Sequence, residues 1–194
     1  MTILELQLGA TTAPAWIKAV LDDFSSFLQD HASCEKKASG MALSISAHYP
    51  DKPAIVSAMA ELAVEELSHY REVIRLLSER NIPPSPDVKD VYVNALNKLI
   101  RRGSATFLMD RLLIAAIVEK RGHERFSILA DALHGDPTER FYQAIVASEK
   151  RHYLLFLELA AMYCDVDVLS HRLDELIVHE RDILLALPVR AALH

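Results

Sequence analysis

Two short motifs of the chain place a histidine three residues after a glutamate. They are Glu66 with His69 and Glu149 with His152. Residues three apart on an α-helix lie about 60° apart around the axis and about 4.5 Å along it, so both side chains can reach one ion. Carboxylate and imidazole groups are ligands of divalent transition metals. One such motif is a weak signal, because the pair also arises by chance, but two of them indicate metal-binding positions on helices.

The placement of the motifs around two predicted turns adds specificity. In an antiparallel helical hairpin, residues equidistant from the turn face each other at the same height. Reflected across the proline-containing turn at 50–53, the first motif points to Glu35. Reflected across Gly135, the second motif points to Glu119. Each predicted hairpin therefore brings one further carboxylate level with its glutamate–histidine motif.

The two hairpins form an internal repeat, because the interval between Glu35 and Glu119 is nearly that between Glu66 and Glu149. One glutamate from each of two helices and a Glu-x-x-His motif from each of two others is the ligand pattern of ferritin-like bundles that hold two iron or two manganese ions. Such a ligand set leaves coordination positions open for dioxygen. The predicted metal ligands are Glu35, Glu66, His69, Glu119, Glu149 and His152.

The alternative is that these six residues are ordinary surface charges of amphipathic helices; the six-residue pattern with both turns in register favours the metal site. Glu65 is a second candidate beside Glu66, and the matching position of Glu149 favours Glu66. His31, one turn before Glu35, is expected to support or cap the site rather than bind metal, because the repeat has an alanine there. Cys34 is expected to be a structural thiol.

The remaining sequence predicts the helices that carry these residues. Hydrophobic residues make up 51% of the chain, and there are only five glycines against eight prolines, which favours helices over sheets. The first helical segment is predicted to begin after Thr12 as N-cap and to run to about His48, with a break near 22–23. The other helices are predicted at 53–80, 88–100, 104–133, 136–164 and 166–187. Asp136 and Pro137 are expected to begin the helix at 136–164. The predicted fold is an all-α, ferritin-like four-helix bundle of two hairpins with a long crossover and short flanking helices, in a single domain over residues 1–194.

Charge and composition limit the function classes. The 21 Lys and Arg residues against 27 Asp and Glu residues leave a formal net charge of −6, which argues against an indiscriminate nucleic-acid binder. No apolar run is long enough to span a membrane, and the first residues lack the basic segment of a secretory signal. Two distant cysteines, Cys34 and Cys164, fit reduced thiols. We therefore expect a cytoplasmic protein with no membrane partner, as a monomer or weak oligomer.

With these residues in view, the chain resembles the bacterial tRNA 2-methylthio-N6-isopentenyladenosine hydroxylase (MiaE-type) family. The most specific block is DHASCEKKASG at 30–40, supported by EELSHY at 65–70, ERF at 124–126 and SEKRHY at 148–153. The resemblance implies a non-haem di-iron monooxygenase that uses O2 and electrons from an external donor. It would hydroxylate the prenyl side chain of the hypermodified adenosine beside the tRNA anticodon, with the six predicted ligands binding two irons. Gly122-His123 departs from the family pattern, where a small residue and a cysteine are expected.

An acidic protein that acts on tRNA needs local basic surfaces. Three of the four candidate glutamates are followed by basic pairs, namely Lys36-Lys37, Lys120-Arg121 and Lys150-Arg151. The second residue of each pair lies about 200° around the helix from the ligand and is expected to point outward. These pairs either form basic patches or neutralise solvated faces. The densest other cluster is predicted to contact phosphate; it consists of Lys98, Arg101 and Arg102.

Three functions remain open at this level. The leading hypothesis is an O2-dependent di-iron hydroxylase of a prenylated adenosine in tRNA. The alternative is an iron-handling or peroxide-scavenging protein related to ferritins and rubrerythrins, although the sequence has no CxxC pair for a rubredoxin-type centre. The third is a metal-free helical interaction module.

Overall fold

The computed structural model describes residues 6–194, which form seven α-helices and, within that range, no strand. The prediction of an all-helical chain is confirmed. No helix of the described part is long and apolar enough to cross a membrane. Residues 1–5, on which the predicted lack of a secretory signal partly rests, lie outside the described range. The helices are α1 (Pro14–Asp22), α2 (Phe24–His48), α3 (Pro53–Glu79), α4 (Val91–Asn97), α5 (Phe107–Ala132), α6 (Glu139–Tyr163) and α7 (Val166–Ala186).

The described residues divide into two compact units. The N-terminal unit comprises Ala15–Val88 and Val189–Leu193. The C-terminal unit comprises the described residues up to Pro14, together with Lys89–Pro188 and His194. The single domain expected over residues 1–194 stays a prediction.

The N-terminal unit is built on the hairpin of α2 and α3. The predicted break near residue 22 is confirmed, because α2 begins after Asp23, whose carboxylate accepts a hydrogen bond from the Ser26 N–H at 3.1 Å. Helix α3 begins at Pro53, where a missing N–H is tolerated because the first turn has no intrahelical acceptor for it. The two helices pack through buried apolar side chains, among them Phe27, Leu28, Ile45, Ile55, Met59 and Leu62.

The C-terminal unit is built on the hairpin of α5 and α6, with α4 and α7 packed in the same unit. Gly135, between the two hairpin helices, has φ +83°, a left-handed conformation that glycine adopts without steric cost. The predicted start of α6 at Asp136 and Pro137 is wrong, since the helix begins at Glu139. The Asp136 carboxylate accepts from the Thr138 N–H at 2.8 Å, and this local turn competes with the first helical turn.

Thr12 does not cap a helix as predicted. Helix α1 begins at Pro14, and Thr12 instead donates from its N–H and its hydroxyl to the Glu124 carboxylate on α5, at 2.8 and 2.7 Å. Charge-assisted hydrogen bonds of this kind are stronger than neutral ones. The segment before α1 is therefore tied to α5 within the C-terminal unit.

Candidate metal centre

The first cluster of predicted ligands lies in the N-terminal unit, on facing positions of α2 and α3. Glu35 and Glu66 are buried, with 3% and 1% exposure, and His69 is half-buried. His69 Nδ1 lies 3.4 Å from Glu35 Oε2 and 3.5 Å from Glu66 Oε2. Each residue offers one ligand atom, and these atoms lie within 4.8 Å of one another. Glu65, the competing candidate, is only half-buried. We call Glu35, Glu66 and His69 the N-terminal triad.

His31 lies directly against this triad. It is fully buried, and its Nε2 is 2.7 Å from Glu35 Oε1, one helical turn away on α2. The other carboxylate oxygen, Oε2, faces His69, whose Nδ1 lies 3.4 Å away. His31 thus holds one oxygen of Glu35 and leaves the second directed into the triad. This placement matches the expected supporting role.

The protonation of the N-terminal triad reflects this packing. Burial raises the pKa of Glu35, but hydrogen bonds with His31 and His69 outweigh burial and hold that pKa well below its usual range. Burial lowers the pKa of His69, whereas hydrogen bonds with Glu35 and Glu66 raise it to about 9. Without a cation, the triad therefore keeps a proton on His69. A divalent ion competes for the same atoms, because metal ligands must be deprotonated.

The second cluster lies in the C-terminal unit, on facing positions of α5 and α6. Glu119, Glu149 and His152 are all buried. His152 Nδ1 lies 3.7 Å from Glu119 Oε2 and 4.0 Å from Glu149 Oε1, and one ligand atom of each residue falls within 4.8 Å of the others. On the far side of the ring, Ser148 Oγ is 3.3 Å from His152 Nε2. We call Glu119, Glu149 and His152 the C-terminal triad.

Gly122 makes room for one ligand of the C-terminal triad. A Cβ atom at Gly122 would lie 3.0 Å from Glu149 Oε2 and 3.7 Å from its Cδ. Any other residue would therefore press on the carboxylate across the α5–α6 hairpin. In the Gly122-His123 pair, the first position meets the expected need for a small residue.

Both triads fit divalent metal ions. Four buried carboxylates would be costly to ionise in an apolar interior, and bound cations would compensate their charge. The carboxylate and imidazole donors match the preference of iron and manganese for oxygen and nitrogen ligands. The structure places all three predicted ligands of each hairpin together within their own unit; as ligands, the six residues stay a prediction.

The three residues predicted to contact phosphate lie at the surface, but one of them already binds a carboxylate of the protein. Lys98, Arg101 and Arg102 are all exposed. The Arg101 guanidinium, however, binds the buried carboxylate of Asp110, with Nη2 2.7 Å from Oδ1 and Nε 2.9 Å from Oδ2. Part of its hydrogen-bonding capacity is therefore used within the protein. Contact of Lys98, Arg101 and Arg102 with phosphate stays a prediction.

The prediction that Arg121 points outward is wrong. Its side chain is 0% exposed, and its guanidinium binds the buried Glu180 of α7, with Nη2 2.7 Å from Oε1, as well as Glu124. Tyr92 also donates to Glu180 Oε1, at 2.9 Å. Helix α7 packs on this side of α5, so a position that would be solvated on an isolated hairpin becomes interior. Of the other two second residues, Lys37 is half-buried and Arg151 is exposed.

Near the C-terminal triad, the sequence analysis named Lys120, Lys150 and His123 but missed the contact of Lys120 and His123 with Tyr153. The His123 ring packs edge-on against Tyr153, and Lys120 Nζ lies over the same ring. The sequence did hold a signal, since Lys120 and His123 are three apart on α5, as are Lys150 and Tyr153 on α6. Each of the two lysines also directly follows a predicted ligand.

Comparison with known proteins decides the family. The family model of tRNA-(MS2IO6A)-hydroxylase (MiaE) matches residues 2–194. The chain belongs to the MiaE family. A tRNA 2-(methylsulfanyl)-N6-isopentenyladenosine(37) hydroxylase of Pseudomonas putida is 39% identical to it over 158 residues, 81% of this chain and 77% of that protein. A hydroxylase with the same description from Salmonella typhimurium is 33% identical over 114 residues, 59% of this chain and 42% of that protein.

The MiaE-family chain also resembles a solved structure along nearly its whole length. Protein 43 with aldehyde deformylating oxygenase activity, from Synechococcus, matches with a TM-score of 0.89 and 32% identity, covering 95% of this chain and 92% of that one. The predicted ferritin-like fold class, the family resemblance and the prediction of an enzyme are confirmed.

Proposed function

We propose that this MiaE-family enzyme is a non-haem di-iron monooxygenase that hydroxylates the isopentenyl side chain of the hypermodified adenosine beside the tRNA anticodon. The observation that carries the proposal is the pair of matched glutamate–glutamate–histidine triads, in which every residue except His69 is buried, in a chain of a tRNA hydroxylase family. The proposed ligands of the two irons, three from each unit, are Glu35, Glu66, His69, Glu119, Glu149 and His152.

Two bound irons would supply the redox chemistry that activates O2, with electrons from an external donor. Within each unit, the chain's own side chains would position the iron ligands. His31 fixes Glu35 Oε1 and leaves Oε2 for the metal, while Ser148 orients His152 through Nε2 and leaves Nδ1 facing the two carboxylates. Such partners set the tautomer and direction of a ligand, and their loss typically lowers metal affinity.

Burial of the triads serves the reaction in a second way. Glu66, Glu149 and His152 are at most 5% exposed, so bulk water has little access to the donor atoms. Limited water access strengthens electrostatic interactions in a site and suppresses side reactions of reactive oxygen species. The partners we propose are tRNA carrying a prenylated adenosine and a separate electron donor, in the cytoplasm, with the enzyme as a monomer or weak oligomer.

The test is mass spectrometry of tRNA nucleosides after incubation of iron-loaded protein with prenylated tRNA, a reductant and O2. We expect the prenylated adenosine to gain one oxygen atom. Storage of ferric iron or turnover of peroxide, without oxygen insertion, would instead support the iron-handling alternative. Fewer than about one iron per chain after anaerobic loading would favour a metal-free module, since a di-iron site needs two.

A matched pair of variants tests the ligand assignment. Glu119→Ala removes a buried carboxylate of the C-terminal triad, whereas Asp131→Ala removes an exposed carboxylate from the same helix. We expect Glu119→Ala to lower iron content and to reduce hydroxylation by at least about 100-fold, because even partners of ligands contribute 10- to 100-fold. The Asp131 variant should retain both. Two irons bound by Glu119→Ala would show that the ligand set is wrong.

A further inference from the structure

One face of the α5–α6 hairpin gathers positive charge around an aromatic ring. Lys120 and His123 lie one turn apart on α5, and Lys150 and Tyr153 lie one turn apart on α6. Side chains three apart on a helix share a face, and Lys120 and His123 both contact the Tyr153 ring across the hairpin. We call these four residues the lysine–tyrosine surface.

The contacts within this surface are specific. Lys120 Nζ lies 4.5 Å from the centroid of the Tyr153 ring, within the range of a cation–π interaction. The His123 ring meets the Tyr153 ring edge-on, with centroids 5.8 Å apart and planes at 78°. Tyr153 is buried, with 8% exposure, whereas Lys150 is exposed. The tyrosine is thus a platform that orients the half-buried Lys120, and Lys150 is the more exposed cation of the surface.

The positive charge of the surface is not neutralised within the described residues. Neither lysine forms a hydrogen bond or an ion pair in residues 6–194. Glu119 and Glu149, which precede them in sequence, are directed into the C-terminal triad. Glu124, the other nearby acid, is bound by Arg121. Burial lowers the pKa of His123, and the charges of the two lysines lower it further, so their field extends across the surface.

We propose that the lysine–tyrosine surface binds the phosphate backbone of the tRNA substrate beside the modified adenosine. The inference rests on the proposed function and adds to it a place of contact. Lys120 and Lys150 each follow a proposed iron ligand by one residue, a rise of about 1.5 Å along the helix. Phosphates held by these lysines therefore lie level with the C-terminal triad. A nucleoside attached to those phosphates is at the right height to direct its side chain inward.

This surface differs in kind from the cluster of Lys98, Arg101 and Arg102. There, Arg101 is already bound to Asp110, and no aromatic ring is found against the basic groups within the described residues. The lysine–tyrosine surface instead combines two lysines that have no acidic partner in residues 6–194 with a ring that limits the motion of one of them. A preoriented cation loses less conformational freedom when it binds phosphate.

The test compares three double variants with the same change in charge. Lys120→Glu/Lys150→Glu alters the proposed surface, Lys98→Glu/Arg102→Glu alters the competing cluster, and the exposed pair in Lys89→Glu/Arg140→Glu is the control. Iron-loaded protein is titrated with prenylated tRNA at several salt concentrations, and folding and iron content are measured alongside. The milder Lys120→Gln/Lys150→Gln variant covers the case in which charge reversal disturbs folding.

For the Lys120/Lys150 variants we expect tRNA affinity to fall by about 10-fold or more and the log–log salt slope to fall by about 2, one per lysine, with iron content unchanged. A tRNA affinity within about twofold of the wild type would overturn the proposal that this surface binds tRNA. A loss of affinity confined to the Lys98/Arg102 variant would assign the phosphate contact to that cluster.

The remaining outcomes separate the surface from the function. If the wild-type protein hydroxylates tRNA and the Lys120/Lys150 variants bind tRNA normally, the proposed tRNA-binding surface is wrong and the proposed function stands. If those variants then accepted electrons more slowly, the lysines would belong to a docking site for an acidic protein. Wild-type protein that neither binds nor hydroxylates tRNA would overturn both proposals.

Discussion

The two triads share their ligand types but differ in the residues that support them. In the N-terminal unit, buried His31 lies 2.7 Å from Glu35, whereas the matching position before Glu119 is Ala115. The C-terminal unit therefore has no imidazole at this position. The internal repeat therefore includes the candidate ligands but not the histidine that supports Glu35.

A second difference lies beside the two candidate ligand histidines. Glu65 Oε1 is 4.0 Å from His69 Nε2, while Ser148 Oγ is 3.3 Å from His152 Nε2. A carboxylate next to an imidazole raises its basicity more than a hydroxyl does, because it stabilises positive charge on the ring. The N-terminal triad thus has more ionisable neighbours, which makes the two proposed metal positions chemically inequivalent.

The hairpins also differ away from the triads. Lys37 and Arg121 occupy equivalent positions of the repeat, each two residues after a candidate ligand. Lys37 is half-buried and donates to the Val88 carbonyl at 2.7 Å. Arg121 is fully buried and bound to Glu180. The same sequence pattern therefore gives a surface lysine in one unit and an interior ion pair in the other, and the packing of α7 accounts for the difference.

The largest effect on stability should come from breaking the buried ion pair between Arg121 and Glu180. Arg121→Met leaves the Glu180 carboxylate buried without its cation, which should lower the free energy of unfolding by about 3–5 kcal/mol. Lys37→Met, at the equivalent position, should change it by less than about 1 kcal/mol, as for most surface sites. Chemical denaturation of both variants measures the contrast. Equal effects would mean that the two positions are energetically alike despite their different burial.

The next effect tests the support given by His31. His31→Ala removes the group that holds Glu35 Oε1, so iron affinity should fall by about 10- to 100-fold at one of the two positions. Iron titration under anaerobic conditions should resolve one weakened and one unchanged site. His31→Gln, which keeps a hydrogen-bond donor, should recover part of the loss. An unchanged titration for His31→Ala would leave this histidine with a packing role only.

A smaller effect is expected at the other triad. Gly122→Ala places a methyl group 3.0 Å from Glu149 Oε2, so the carboxylate must shift by a few tenths of an ångström. Ala38 holds the equivalent position in the N-terminal hairpin, which shows that the repeat itself tolerates a Cβ there. We expect the absorption and Mössbauer spectra of the iron-loaded variant to change for one iron and not for the other. Identical spectra would mean that the side chain of Glu149 adapts freely.

The smallest effect concerns pH and the metal-free protein. The pKa of His69 is raised to about 9, so its contribution to stability is complete below pH 6.5 and is lost as pH rises through about 9. The melting temperature of metal-free protein should therefore fall between pH 6.5 and 9.5. His69→Gln should flatten this dependence. The low pKa of Glu35 acts in the opposite direction and only in acid, where its stabilising contribution is lost as pH falls below 4.5.

Much of the local structure followed from the sequence. The helix boundaries at His48, Pro53 and Val166 match the predictions because prolines and capping aspartates act within one turn of the chain. The start of α6 does not match its prediction, because the Asp136 carboxylate accepts a hydrogen bond from the Thr138 N–H and forms a local turn instead of the first helical turn. Reflection across the two turns predicted which carboxylate lies beside the glutamate–histidine motif of each hairpin, because the facing of residues in a hairpin depends mainly on their distance from the turn.

Sequence alone thus determined the helical class, the two hairpins and the residues that form each triad, since these depend on helical periodicity and on local turns. Only the tertiary structure decided which charged side chains are interior. Arg121 became buried because α7 covers it, and Lys120 was oriented because Tyr153 of the facing helix lies under it. The physical reason is that burial depends on every element packed against a residue, and elements far apart in sequence leave no periodic signal at that position.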